Sequence, residues 1–243
     1  SFALADTLSF ANDRVLLTLG MRNQSVQSQG YSTTTGSPTT NYKASSVSPL
    51  AGVVFKPVAH VAVYANYTSG LSQGAIVGAG YSNAGEVLAP FKSKQYETGV
   101  KIDFGKVTTT AALYGITRPS LVGTQPGARI YGGEQRNRGL ELSAFGEVTH
   151  GLRAMTSVAF VNARLVKTNN GLNQGNTPAG VPNKTLSAGL DWDTPWVQGL
   201  SLNGRVIHTS GSYLTDANTL RFKSWERYDI GARYSTKVSG KAV

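Results

Sequence analysis

The chain has 243 residues and a formal charge of +10, with 23 Lys and Arg against 13 Asp and Glu. Hydrophobic residues make up 40%, under the ~45–50% of ordinary globular chains, although that benchmark also counts Gly. The absence of Cys excludes disulfides and thiolate metal sites. No apolar run approaches the ~20 residues of a membrane-spanning helix, and the opening residues lack the basic start and apolar stretch of a signal peptide. Gly is abundant at 28 and Tyr at 11 outnumbers Phe at 8, a palette of strands and turns rather than helices.

Taken in chain order, the segments alternate with period two. Val15, Leu17, Leu19 and Met21 share one side, with Arg14, Thr18 and Arg22 opposite. Between residues 96 and 104, Tyr96, Thr98, Val100, Ile102 and Phe104 oppose Glu97, Gly99, Lys101 and Asp103. Leu140, Leu142 and Ala144 oppose Glu141 and Ser143, and near the end Tyr228, Ile230, Ala232 and Tyr234 oppose Asp229, Gly231, Arg233 and Ser235. Successive strand side chains point to opposite faces, so each segment has one apolar and one polar side. About eleven such strands are predicted, with no helix. Most reach ten or more residues, where soluble strands average ~5–6 and bilayer-crossing strands need ~9–11.

The connections alternate too. Short turns are predicted around Asn12-Asp13, Lys56-Pro57, Gly105-Lys106, Thr149-His150-Gly151 and residues 194–199. Long polar loops are predicted at residues 28–41, 70–90, 118–132, 168–183 and 212–221. Tight turns at one end and long loops at the other are the asymmetry of an antiparallel transmembrane β-barrel. Tyr64, Tyr67, Tyr96, Phe104, Trp192, Trp196, Trp225, Tyr228 and Tyr234 fall near strand ends, as interfacial girdles do. With the short turns taken as periplasmic, the strand at 200–211 runs outward and that at 92–105 inward.

Other chemistries find little support. The basic residues are scattered, without the compact patch of a nucleic-acid binder, so no nucleic-acid partner is expected. His60, His150 and His208 are far apart and lack metal-ligand spacing. Ser210, His208 and Asp216 lie close in sequence and open a hydrolase reading at a barrel rim, but these residue types are common and no catalytic residue is assigned. Gly78-Ala-Gly80 and Gly132-Gly133 lack the strand, helix and Lys of a phosphate loop.

Four segments resemble TonB-dependent siderophore receptors, in the group that takes up hydroxamate-type and related ferric chelates. They are Ala89-Pro-Phe-Lys-Ser-Lys-Gln-Tyr-Glu-Thr-Gly-Val-Lys-Ile-Asp-Phe104 and Gly133-Glu-Gln-Arg-Asn-Arg-Gly-Leu-Glu-Leu-Ser-Ala-Phe-Gly-Glu147. The others are Gly180-Val-Pro-Asn-Lys-Thr-Leu-Ser-Ala-Gly-Leu-Asp-Trp-Asp193 and Ser224-Trp-Glu-Arg-Tyr-Asp-Ile-Gly-Ala-Arg-Tyr234. The opening Leu4-Ala-Asp-Thr-Leu-Ser-Phe10 is similar as well. The likeness implies an all-β fold in which residues 1–243 are part of one barrel domain, with about 11 of ~22 strands. It also implies truncation at both ends, with no plug domain or TonB-contacting box, and a further strand beginning at Gly240-Lys-Ala-Val243. The motifs suggest a charge ladder of Arg136, Arg138 and Glu141 on a lumen face, and close approach of a plug or side chain at Gly99 and Gly139.

Implied partners are a ferric siderophore, the TonB-ExbB-ExbD complex through the absent N-terminal region, and outer-membrane lipid and lipopolysaccharide. The iron arrives chelated, so no metal ligand and no cofactor are expected. Substrate-binding candidates at the loop roots are Tyr81, Phe91, Arg118, Tyr131, Arg136, Tyr213, Phe222 and Trp225. A complete small pore or adhesin barrel of about twelve strands is the alternative, and a soluble β-protein comes third.

Overall fold

The computed structural model describes residues 1–238 and 241–242. Its main element is an antiparallel sheet of eleven strands, each paired with its neighbours in sequence. The strands are β1 (Phe2–Phe10), β2 (Val15–Tyr31), β3 (Pro38–Val58), β4 (Val61–Ser72), β5 (Phe91–Asp103) and β6 (Val107–Val122). They continue with β7 (Ile130–Thr149), β8 (Leu152–Lys167), β9 (Lys184–Asp193), β10 (Leu200–Thr209) and β11 (Trp225–Tyr234). A hairpin of β12 (Lys237–Val238) and β13 (Lys241–Ala242) forms a separate small sheet. Gly240 and Val243, two of the four residues expected to begin another strand, lie outside the described residues. One 3-10 turn at Asn169–Gly171 is the only helical element among the described residues.

Register shows why the alternation is so regular. Val63 pairs with Val100, Val100 with Ala111, Ala111 with Leu142, Leu142 with Val158 and Val158 with Leu186. Partners across a ladder share a face, so this row lies on one apolar surface. Leu4, Leu8, Leu19, Met21, Val53, Phe55, Leu113, Leu190 and Ile230 stand exposed on the same surface. Only six hydrophobic side chains among the described residues are buried. A soluble sandwich of this length would bury its apolar faces between two layers, and here they point outward.

The other face is polar. Tyr64 donates to Glu97 at 2.9 Å, Gln95 donates to Glu97 at 3.1 Å, and Arg153 bridges Asp191 and Asp193. A Cβ at Gly99 would lie 2.7 Å from the Tyr64 hydroxyl, and the Tyr114 hydroxyl crowds Gly139 in the same way. The close approach expected at these glycines is thus made by neighbouring tyrosines. The expected charge ladder divides between the faces: Arg136 and Arg138 lie with Leu140 and Leu142, whereas Glu141 lies with Tyr64 and Glu97. Strand parity separates even from odd positions, so the three cannot share one side.

All the turns of one end are short, at residues 11–14, 59–60, 104–106, 150–151 and 194–199. The turn expected at Lys56-Pro57 falls at Ala59 and His60, because Pro57 sits in a register shift between Phe55 and Val58. The opposite end carries loops at residues 32–37, 73–90, 123–129, 168–183 and 210–224. Two expected loops are shorter than anticipated. Most of residues 28–41 and much of 118–132 extend β2, β3, β6 and β7 beyond the apolar band. Aromatic pairs mark the two limits of that band, Tyr67 with Tyr96 toward the loops (4.9 Å between rings) and Trp192 with Trp196 toward the turns (4.7 Å).

Candidate functional site

At the loop end, the polar face gathers four of the expected residues into one neighbourhood. Phe91 opens β5 and Tyr131 lies near the start of β7, with ring centroids 5.2 Å apart. Arg118, near the end of β6, stands over the Phe91 ring at 5.7 Å. The Tyr131 hydroxyl accepts a hydrogen bond from Ala75 N–H at 2.9 Å, tying the cluster to the loop at 73–90. Tyr81, on that loop, lies under Arg129, whose guanidinium carbon is 5.1 Å from the ring. Asn83 clamps Arg129 from both sides, donating to its carbonyl at 2.9 Å and accepting from its N–H at 2.8 Å. Each cation–π contact is worth ~0.5–1 kcal/mol at exposed sites, enough to orient a guanidinium without burying it.

Beneath the cluster lies a floor of hydrogen-bonding groups on the same face: Gln95, Glu97, Gln135 and Asn137. Rings above and amides below suit a ligand with both an apolar rim and a carbonyl-rich surface.

Tyr213 and Phe222 lie in the loop at 210–224. Tyr213 bridges to Arg221, which stacks on it at 5.6 Å. Phe222 and Arg221 line an open cleft of about 600 Å³ with His208, Lys223 and Ser224. Trp225 begins β11 opposite Thr209 and is half exposed. Arg136 is placed elsewhere: it pairs with Glu134 at 2.8 Å on the apolar side of the wall. The expected set is therefore two groups and an outlier.

Several residues of this region were not anticipated. Tyr42 is the one large side chain that is fully buried among the described residues, and its hydroxyl accepts from Gly74 N–H at 2.9 Å. Arg129, Asn83 and Arg221 likewise lie outside the set that the sequence marks. A tyrosine at the start of a strand carries no local mark of the loop it will anchor, because that partner lies 32 residues away.

The hydrolase grouping does not assemble. His208 contacts Glu226 at 3.2 Å, Ser210 donates to Asn183 at 2.7 Å, and Asp216 accepts from Ala179 N–H at 2.8 Å. A nucleophile, base and orienting acid must form one hydrogen-bonded chain, and these three face different partners. No group of three metal-ligating side chains occurs among the described residues.

A family model described as TonB dependent receptor-like, beta-barrel, matches residues 1–242. The ferrichrome receptor FcuA of Yersinia enterocolitica is 38% identical over 99% of this chain and 33% of its own length. The ferrichrome outer membrane transporter/phage receptor of Escherichia coli is 29% identical over 95% of this chain and 31% of its length. Among solved structures, BauA, the ferric preacinetobactin receptor from Acinetobacter baumannii, superimposes with a TM-score of 0.79 and 38% identity. That match covers 98% of this chain and 36% of BauA. The chain thus spans about a third of the length of these relatives.

Proposed function

This chain belongs to the TonB-dependent receptor β-barrel family, and from that premise we propose that the protein containing it imports ferric siderophores across the outer membrane. Proteins of this barrel family are outer-membrane proteins, and the outward apolar band of the sheet is the surface such a wall presents to lipid. The loop end then faces the medium and the short turns face the periplasm. Transport is driven through the TonB-ExbB-ExbD complex.

The observation that carries the reading is the cluster of Phe91, Tyr131, Arg118, Tyr81 and Arg129 on the lumen side of the loop end. It offers ring faces and oriented guanidinium groups where a chelate entering from outside meets the wall. The iron needs no protein ligand because it is already coordinated. Toward the periplasmic end, Met155 is 70% exposed on the lumen side, where it pairs with Gly189. Its other register partner, Phe145, is 53% exposed beside it, and an exposed apolar pair on the lumen side supports a plug domain seated there.

Uptake of radiolabelled iron by cells expressing the full-length receptor tests the proposal. With ferrichrome and ferric preacinetobactin as first substrates, we expect uptake that disappears in cells lacking TonB. Absence of ferric-siderophore uptake, combined with TonB-independent passage of small solutes, would instead make this the wall of a diffusion pore.

A further inference from the structure

Three arginines at the loop end share one arrangement. Arg118 stands over Phe91 at 5.7 Å, Arg129 over Tyr81 at 5.1 Å and Arg221 over Tyr213 at 5.6 Å. A guanidinium lying on a ring keeps its N–H edge free, where a planar pair of acceptors can meet it. Those donors are barely used within the protein. Among the described residues, no carboxylate lies within 4.0 Å of any of the three. Arg129 reaches the Tyr81 hydroxyl at 3.3 Å and Arg221 the Gly211 carbonyl at 3.5 Å, both long contacts.

The surrounding loops do not neutralise this charge. The loops at 73–90, 123–129, 168–183 and 210–224 contain the carboxylates Glu86 and Asp216 against Arg129, Arg221 and Lys223. Both carboxylates are already engaged, Glu86 by the Asn83 amide at 2.6 Å and Asp216 by Ala179 N–H at 2.8 Å. Down the lumen face, Glu97 pairs opposite Tyr114, which is four residues and so ~13 Å below Arg118. That separation exceeds the ~8 Å screening length at physiological salt. Arginines toward the turns are treated differently. Arg153 contacts Asp191 and Asp193, and Arg233 reaches Asp191 at 3.9 Å. Positive charge is left uncompensated at the loop end and is cancelled at the turn end.

We propose that the loop end favours ferric chelates of net negative charge, with Arg118 and Arg129 as the selecting residues and Arg221 in support. The inference rests on the import function proposed above and adds the charge class of the substrate. Three hydroxamates around iron(III) make a neutral complex, because their single charges balance the metal. Three catecholates, or hydroxamates accompanied by a free carboxylate, leave the complex anionic. A neutral chelate packs on Phe91 and Tyr131 as well as an anionic one does, but it offers the guanidinium groups little that water does not. An anionic oxygen pair adds planar, charge-assisted hydrogen bonds to each guanidinium it reaches. The uncompensated field also draws an anion toward the site before contact is made.

The test uses the full-length receptor in detergent, with equilibrium binding followed through quenching of its intrinsic fluorescence. Two probes share one linear ferric trihydroxamate, its terminal amine capped by acetyl in the neutral probe and by succinyl in the anionic one. The iron shell is identical, and only a remote carboxylate differs. The succinylated probe should bind on the order of tenfold tighter, the low end for hydrogen bonds to a charged partner. That advantage should shrink as salt is raised. A ferric tris-catecholate is the third probe. Tighter binding of either anionic probe supports the proposal, and which of them gains tells carboxylate from catecholate recognition. Arg118→Gln/Arg129→Gln should erase most of the preference and leave affinity for the acetylated probe nearly unchanged, because the rings remain. Equal loss of all probes in that variant would overturn the proposal, since the arginines would then serve packing alone. The salt dependence of the parent needs no variant and carries the test if the double variant fails to form a barrel. Equal affinity of the parent for neutral and anionic probes at low salt would sink this inference alone. Binding of no ferric chelate would sink the import function beneath it.

Discussion

Two loop pairs crown the wall, and they are built on different principles. In the first, the loop at 73–90 lies on the loop at 123–129 and on the wall. Val77 and Leu88 are buried there beside Tyr42, and two tyrosine hydroxyls pin Gly74 and Ala75. In the second, the loop at 168–183 meets the loop at 210–224 through small polar side chains. Asn218 both accepts from Thr177 N–H and donates to its carbonyl, Asp216 accepts from Ala179, and Ser210 joins Asn183. Leu172, Leu214 and Leu220 of this pair remain exposed. The first pair encloses a buried aromatic ring with two aliphatic side chains, whereas the second buries Pro178 and is held mainly by side-chain hydrogen bonds. Burial is cooperative and hard to reverse locally, whereas exposed hydrogen bonds exchange readily with water. The first pair therefore holds Tyr81 and Arg129 in fixed positions, and the second yields first when a ligand or the medium presses on it.

The sharpest way to break that contrast is to remove the buried ring. Truncating a fully buried aromatic costs ~3–5 kcal/mol, and Tyr42→Ala also removes the acceptor of Gly74 N–H. Hydrogen exchange of the full-length receptor should show amides of residues 73–90 opening by orders of magnitude, while those of 168–183 stay as they were. Equal protection in parent and variant would mean that the loop is held by something other than its core.

A smaller effect is expected in the second pair. Asn218→Ala loses both bonds to Thr177, for ~1–3 kcal/mol, and leaves Ala at φ +58° without the local side-chain hydrogen bond by which Asn tolerates that region, which costs a further ~1 kcal/mol. Asn218→Gly loses the bonds but tolerates the angle, so it should exchange more slowly than Asn218→Ala and faster than the parent. If the two variants were indistinguishable, backbone conformation would contribute nothing and the pair would rest on side-chain bonds alone.

The wall was far more legible in the sequence than the loops that define the site. Residues 96–104 announce a strand because one side meets lipid and the other water, and that contrast writes itself as period two. Above the apolar band both sides are wet, and the contrast vanishes. Ser28, Gln29 and Gly30 read as the start of a loop, yet their backbone pairs with β3 as far as Tyr31. Pro57 reads as a turn because it lacks an N–H, and it is instead accommodated in a bulge. Phe91, Arg118 and Tyr131 could be nominated because each sits at a loop root, and the sheet register does bring them together. Arg136 and Glu141 differ in strand parity, so the sequence itself separates the ladder expected of them onto two faces. Contacts such as Tyr42 with Gly74, or Asn83 with Arg129, join residues more than thirty positions apart, and no local pattern records them.

The finest test separates anchoring from ligand contact at Tyr131. Its hydroxyl accepts from Ala75 N–H, while its ring packs on Phe91 under the influence of Arg118. Tyr131→Phe keeps the ring and deletes one hydrogen bond, for ~1 kcal/mol. If the hydroxyl serves only the loop, exchange at Ala75 should quicken about fivefold, in line with that energy, and siderophore affinity should be unchanged. Phe91→Ala, in contrast, removes a ring face and leaves the loop anchors in place, so affinity should fall while exchange at Ala75 does not move. A loss of affinity in Tyr131→Phe with unaltered exchange would reverse the assignment. The hydroxyl would then belong to the binding surface, and Tyr42 alone would hold the root of the loop.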